Sequence, residues 1–304
     1  MMSNELLGQL LDRAPVAPPP DASSRDGGVS GCAGNKVTTM VQATEAASRL
    51  RGWRIAGASL PLAFLLAVEA LVRLQVLPDN LVPAPSAIAQ AFWQLGVEHL
   101  LRNIAASTVR VAVGFGCGAL LAIVVGAAMG LSRRIDALLD PAFQALRSIP
   151  SLAWVPVLLL WMGIDEAPKV TLVAIGAFFP VHLAVVAGIR NVDRKLVELG
   201  AIYRLKPWRL FVRILLPAAL PQIFTGLRTG LSLAWMFVVA AELIAATRGL
   251  GYLLSDGRET SRPDIVFGAI ILLGLLGKLT DSAMKAIESR VLVWRDTVDE
   301  GARS

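Results

Sequence analysis

Histidine and cysteine are almost missing from this sequence, and charged side chains are scarce. The two cysteines, Cys32 and Cys117, lie too far apart for the close spacing of a metal site. The two histidines, His99 and His182, occur in no His-Glu-x-x-His pattern, and no Gly-x-Ser-x-Gly elbow is present. A zinc protease or a serine hydrolase would therefore lack its parts. The segment Gly274 to Thr280 imitates a phosphate loop, but two residues separate its glycines where four are needed. A leucine, not a hydroxyl, follows Lys278. The formal charge of +6 is not the footprint of a nucleic-acid binder either, because no basic stripe interleaved with aromatics exists.

What the sequence has instead is oil. Of its 304 residues 55% are hydrophobic and 17% charged, and the apolar residues are gathered into long runs. Val111 to Ser132 contains no ionisable residue. At about 1.5 Å per residue such a run crosses a hydrocarbon layer of about 30 Å. Similar runs occur at Ile55 to Leu77, Pro141 to Ile164, Val170 to Ile189, Pro221 to Ala246 and Ile265 to Met284. The fold class expected is an all-α integral membrane protein with about six spans. Glu69 and Arg73, four apart in the first span, are spaced to pair on one helix face.

Orientation follows from Lys and Arg. The connection from Arg190 to Arg213 holds seven basic residues against Asp193 and Glu198, so the positive-inside rule puts it in the cytoplasm. Counting outward, both termini are cytoplasmic, while Pro78 to Asn103, Asp165 to Lys169 and Arg248 to Pro263 are outside. Residues 1–50, rich in Pro, Ser and Gly, read as a disordered tail with no cleavable leader. Residues 51–100 hold the first span and an outer connection, 101–286 the main membrane domain, and 287–304 a C-terminal tail.

Several local features carry expectations. Pro83 and Pro85 interrupt the chain and Ser86 is placed to cap a surface helix from about Ala87 to Leu101. Gly114, Gly116, Gly118, Gly126 and Gly130 stud the second span, as suits close helix packing in lipid. Pro150 and Pro156 predict a broken third span. In the basic loop, Leu196, Leu199 and Tyr203 form a helical stripe, Pro207 interrupts it and opens a second short helix, and Pro217 and Pro221 end that helix and start the fifth span. The product is a stiff helix-turn-helix bracket between two crossings.

This loop resembles that of the permeases of binding-protein-dependent ABC importers. Glu198, Ile214, Leu216 and Pro217 fall at the family's signature spacing, whereas Leu199 and Gly200 replace two alanines and Arg204 replaces a glycine. Further segments, among them Leu146 to Pro150, Trp161 to Ile164, Thr225 to Arg228, Ala240 to Leu243 and Gly249 to Tyr252, are similar to the type 1 branch that handles aliphatic sulfonates, taurine and nitrate.

The resemblance implies a permease in the inner membrane of a bacterial cell, not an enzyme, with no cofactor in this chain. ATP is then bound by a cytosolic ABC ATPase dimer that grips the bracket through Glu198, Leu199, Gly200, Arg204, Leu205, Lys206 and Pro207. An extracytoplasmic solute-binding protein and a second copy of the chain complete the partners it implies. Trp154, Trp161, Ser232 and Trp235 are candidates for the translocation path, and Glu242 for a gate or structural partner beside it. Arg147 and Arg228 are read as snorkelling or paired. Aliphatic sulfonate is the solute favoured, with nitrate, taurine or another small solute as alternatives. An ion-gradient-coupled transporter is the rival from another class, supported only by the acid at Glu242.

Overall fold

A computed structural model of the chain describes residues 63–76, 78 and 82–294. The N-terminal tail and much of the first expected span lie outside the described residues. All but two of the described residues belong to one compact unit, Leu65–Ser304. Among the described residues every regular element is helical.

The chain order is α1 (63–73), α2 (Pro85–Leu95), α3 (Val97–Leu131), α4 (Arg133–Ser148), a 3-10 turn (Ser151–Trp154) and α5 (Val155–Met162). It continues with α6 (Glu166–Arg190), α7 (Arg194–Ile202), α8 (Pro207–Leu210), a π turn (Phe211–Leu215), α9 (Leu216–Ala245), α10 (Leu250–Glu259) and α11 (Pro263–Val291). Four apolar helices among the described residues are long enough to cross a membrane: α3, α6, the rod from α8 to α9, and α11. The expected third span is α4 and α5 together, bent by 86°. The break falls at Ile149 and Pro150; Pro156 sits in the first turn of α5, where its missing N–H costs nothing.

Three sequence expectations need correction. The surface helix stops at Leu95, not Leu101, because Gly96 takes φ +78° and lets the chain turn directly into α3. Ser86 does not cap it. The carboxylate of Glu69 on α1 accepts from the Ser86 N–H at 3.1 Å and from its Oγ at 2.8 Å, while also holding Arg73 as expected. Nor do Pro217 and Pro221 end the second bracket helix. Between Phe211 and Leu215 the winding widens, and Leu216 N–H donates to the Phe211 carbonyl five residues back. This looser turn lies immediately before Pro217, which has no N–H to offer a tighter one. The rod therefore runs unbroken from Pro207 to Ala245.

Helix α6 is the centre, flanked by α3 and α9. Glycine makes those contacts. A Cβ on Gly114 would stand 2.7 Å from Val173 Cβ and 2.8 Å from the Val170 carbonyl, and one on Gly118 would strike the Ala174 carbonyl. Gly126 and Gly130 meet Val185 and Ile189 in the same way, so α3 and α6 run parallel. Lipid offers no hydrophobic drive between helices, so this close approach supplies the packing. Gly116 meets nothing and faces away from the stripe. Toward α9, Gly176 receives Phe237, and Gly226 and Gly230 receive Ala184 and Val181, in antiparallel order. Trp235 Nε1 donates to Thr280 Oγ1 at 2.9 Å and Arg228 pairs with Asp281 at 2.8 Å, joining α9 to α11.

Candidate functional sites

The bracket is built by the connection between α6 and the long rod. Arg194 pairs with Glu198 at 3.1 Å on the exposed face of α7. Behind that face Gly200 is buried, and a Cβ there would strike Leu210 and stand 3.1 Å from Ile214. Gly200 is thus where α7 presses against the rod, and Ile214 is its seat. Leu216 and Pro217 are half-buried just beyond it.

The turn after α7 is a left-handed helix cap. Tyr203 N–H donates to the Leu199 carbonyl and Leu205 N–H reaches the Gly200 carbonyl at 3.1 Å, with Arg204 between them at φ +47°. That is the six-to-one bond of a Schellman motif, whose left-handed position ordinarily takes glycine. Arg204 thus holds, as a non-glycine residue, the left-handed conformation that glycine adopts without steric cost. Its side chain is exposed. Replacing Arg204 by glycine should therefore slow hydrogen exchange of the Tyr203 and Leu205 amides severalfold, consistent with relief of about 1 kcal/mol. Arg204→Val should speed it.

The outward surface of this bracket is apolar where water would be expected to favour charge. Leu199, Ile202, Tyr203 and Trp208 are 47%, 76%, 71% and 72% exposed. Glu198, Arg204 and Lys206 border them and are also exposed. Leu205 is half-buried beside the cap and Pro207 opens α8.

At the opposite end of the bundle lies a buried polar knot. Glu242, 1% exposed, accepts from Ser107 Oγ at 2.7 and 2.8 Å, from Arg110 Nη1 at 2.7 Å and from the Gly251 N–H at 2.8 Å. Arg110 is itself buried; it also donates to the Arg248 carbonyl and grips Glu166 with two nitrogens. Lys169 reaches Glu166 at 3.2 Å. Asn103 and Ser107 accept from the N–H groups of Gly249 and Leu250 at 2.8 Å. One cluster thus ties α3, α6, α9 and the start of α10. Gly249, at φ +131°, leaves no room for a side chain beside the Glu242 carboxylate.

The candidate path residues separate. Glu242 and Trp235 point into the protein, each with its polar atoms satisfied inside it. Trp161 is exposed on α5. Trp154 lines an apolar cavity of about 470 Å³ between α3, α4 and α6, with Cys117, Leu121, Phe143, Ala174 and Phe178. Ser232 is exposed on α9, its hydroxyl donating to the Arg228 carbonyl. In the sequence Arg110 only precedes the apolar run that begins at Val111, and nothing near it in the chain reveals the knot. The readable signal was Glu242 itself, since an acid within a span calls for a basic partner at the same depth.

Comparison with known proteins supplies the remaining findings. Residues 114–293 match the family described as binding-protein-dependent transport system inner membrane component. The chain is 38% identical over 249 residues to a Bacillus subtilis protein named as aliphatic sulfonates transport permease SsuC, covering 82% of this chain and 90% of that one. It is 32% identical over 231 residues to the taurine transport system permease TauC of Escherichia coli, covering 74% and 84%. Its fold is similar to that in an inward-facing structure of the MetNI methionine ABC transporter, with TM-score 0.57, 18% identity, and 64% and 96% of the two chains covered.

Proposed function

The chain belongs to the family of inner membrane components of binding-protein-dependent transport systems, and from that premise we propose that it is the permease of an ATP-driven importer for a small oxyanion, an aliphatic sulfonate. The observation that carries this reading is the bracket. Exposed apolar side chains on a rigid projection favour a protein partner, because a solvated loop has no use for them. The bracket continues without a break into a membrane-crossing rod, so a push on Trp208 is delivered along the whole of α9.

On this reading a cytosolic ATPase pair seats on Glu198, Leu199, Arg204, Leu205, Lys206 and Pro207, and Gly200 supports them from beneath. The ATPase supplies nucleotide hydrolysis, and this chain supplies the lever and the passage. The bracket end carries Arg133, Arg134, Arg190 and Lys285, so it faces the cytoplasm, with both termini inside. A solute-binding protein then meets the opposite end, around the Arg110–Glu242 knot. Helix α4, which buries none of its residues in the described bundle, suits a second copy of the chain. Identity to the sulfonate permease over most of both chains supports that solute over nitrate.

The test pairs Leu199→Asp with Trp208→Glu in the full transporter. Each buries a charge at the proposed contact, at a cost of several kcal/mol. Uptake of labelled alkanesulfonate is expected to fall to background while the variants still reach the membrane and keep their unfolding midpoint. Undiminished uptake would remove the bracket from the mechanism. Growth of a deletion strain on alkanesulfonate as sole sulfur source, with no redundant system, would overturn the solute.

A further inference from the structure

Helix α9 presents one row of side chains to the outside of the described bundle: Gln222, Thr225, Thr229, Ser232 and Met236. Their spacing of three and four residues puts them on a single face. The corresponding outward rows of the neighbouring helices are apolar. On α3 they are Val109, Val113, Leu120 and Val124; on α11 they are Ile270, Ile271, Leu275 and Leu279, with Lys278 the exposed charge among them. An apolar row is what lipid requires. The α9 row is different, carrying three hydroxyls and an amide.

Each hydroxyl donates to the carbonyl four residues before it: Thr225 to Pro221, Thr229 to Thr225 and Ser232 to Arg228, at 3.0, 3.0 and 3.1 Å. These bonds are local and can be exchanged by a rotation about χ1, which frees the hydrogen for a solute oxygen. From Gln222 to Ser232 the row is about 15 Å long, roughly half of the hydrocarbon layer. It starts near the bracket and gives out at Met236, beyond which Leu243 and Ile244 are the exposed residues.

Two occupants compete for such a face: water carrying the solute, or the same helix of a second copy. Close pairing of membrane helices uses small residues. On α9 the glycines, Gly226 and Gly230, are already committed to Ala184 and Val181 of α6, and the exposed row sets the long side chains of Gln222 and Met236 at its two ends, where they hold a second helix backbone away from Thr225, Thr229 and Ser232. We propose that this row is the wall of an aqueous vestibule on the bracket side. Its hydroxyls and amide receive the oxygens of the oxyanion in succession. The assignment rests on the importer reading and names the residues that meet its solute.

Single cysteines at Gln222, Thr225, Thr229 and Ser232, with controls at Leu120 and Leu275, test it. The background is the full transporter with Cys32→Ser and Cys117→Ser, in inside-out membrane vesicles. The probe is a sulfonate-bearing methanethiosulfonate, which reacts with the thiolate and so needs water at the thiol. The row is expected to react roughly tenfold faster than the controls or more. Reaction as slow as at Leu120 and Leu275 would overturn the vestibule. So would oxidative crosslinking of the row between two copies both with and without ATP, which would make it an interface. Labelling is read without transport, so a chain whose solute proves to be nitrate would still show the row reacting.

Discussion

Replacing Glu242 by alanine is expected to destabilise the protein by about 3–5 kcal/mol, the usual range for removing one member of a buried charge pair. The loss falls on several partners at once. Arg110 would stay buried with one of its two acids gone, Ser107 would lose its acceptor, and the Gly251 N–H would be left facing a void. The measurement is the unfolding midpoint in mixed detergent titrations of the purified permease. Glu242→Gln keeps an acceptor oxygen and the volume, and should fall between wild type and alanine. The double substitution Arg110→Met with Glu242→Leu should recover about 1 kcal/mol or more relative to the worse single variant, because an apolar pair leaves no stranded charge. Equal stability of wild type and Glu242→Ala would show the knot to be idle. Glu166 offers an internal contrast: its side chain is 62% exposed, so its removal leaves solvent able to reach Arg110 and should cost much less.

The second large effect is steric. Gly118→Ala places a methyl against the carbonyl oxygen of Ala174, and backbone has no rotamer to offer in reply. The parallel pair α3 and α6 must separate or the methyl must strain, at about 1–3 kcal/mol, and Gly118→Leu should leave little folded protein. Two residues away the sign reverses. Gly116 meets nothing within 4 Å, so Gly116→Ala should be neutral or add up to about 1 kcal/mol of helix propensity. Measuring both in one titration separates packing from propensity. Similar values for the two positions would refute the glycine contact.

Periodicity and charge made the architecture legible in advance. The uncharged run after Arg110, the break at Pro150, the basic loop and the bracket opening at Pro207 were all readable, because each depends on residues near one another in the chain. The glycine stripe was readable as packing, though not which glycine faced which helix; Gly116 looks identical in sequence to its neighbours. What stayed hidden was long-range. Nothing local couples Glu242 to Ser107 or Arg110, which lie more than a hundred positions earlier. Ser86 had the right identity for a cap, yet Glu69 from another helix took the part. Pro217 misled for a different reason: a proline forbids the ordinary bond four residues back but tolerates one widened turn ahead of it. At Arg204 the departure from the family's glycine is resolved by the backbone, which adopts the glycine conformation with arginine in place.

The widened turn between Phe211 and Leu215 also fixes a phase. A π turn amounts to one residue too many for a regular helix, and each residue of an α-helix advances it by about 100°. Tightening it by a single residue would leave the rod continuous but swing every side chain beyond it by more than a quarter of a circle relative to Trp208. The hydroxyl row and the bracket are therefore indexed to each other by five residues, much as two gears are timed by one key.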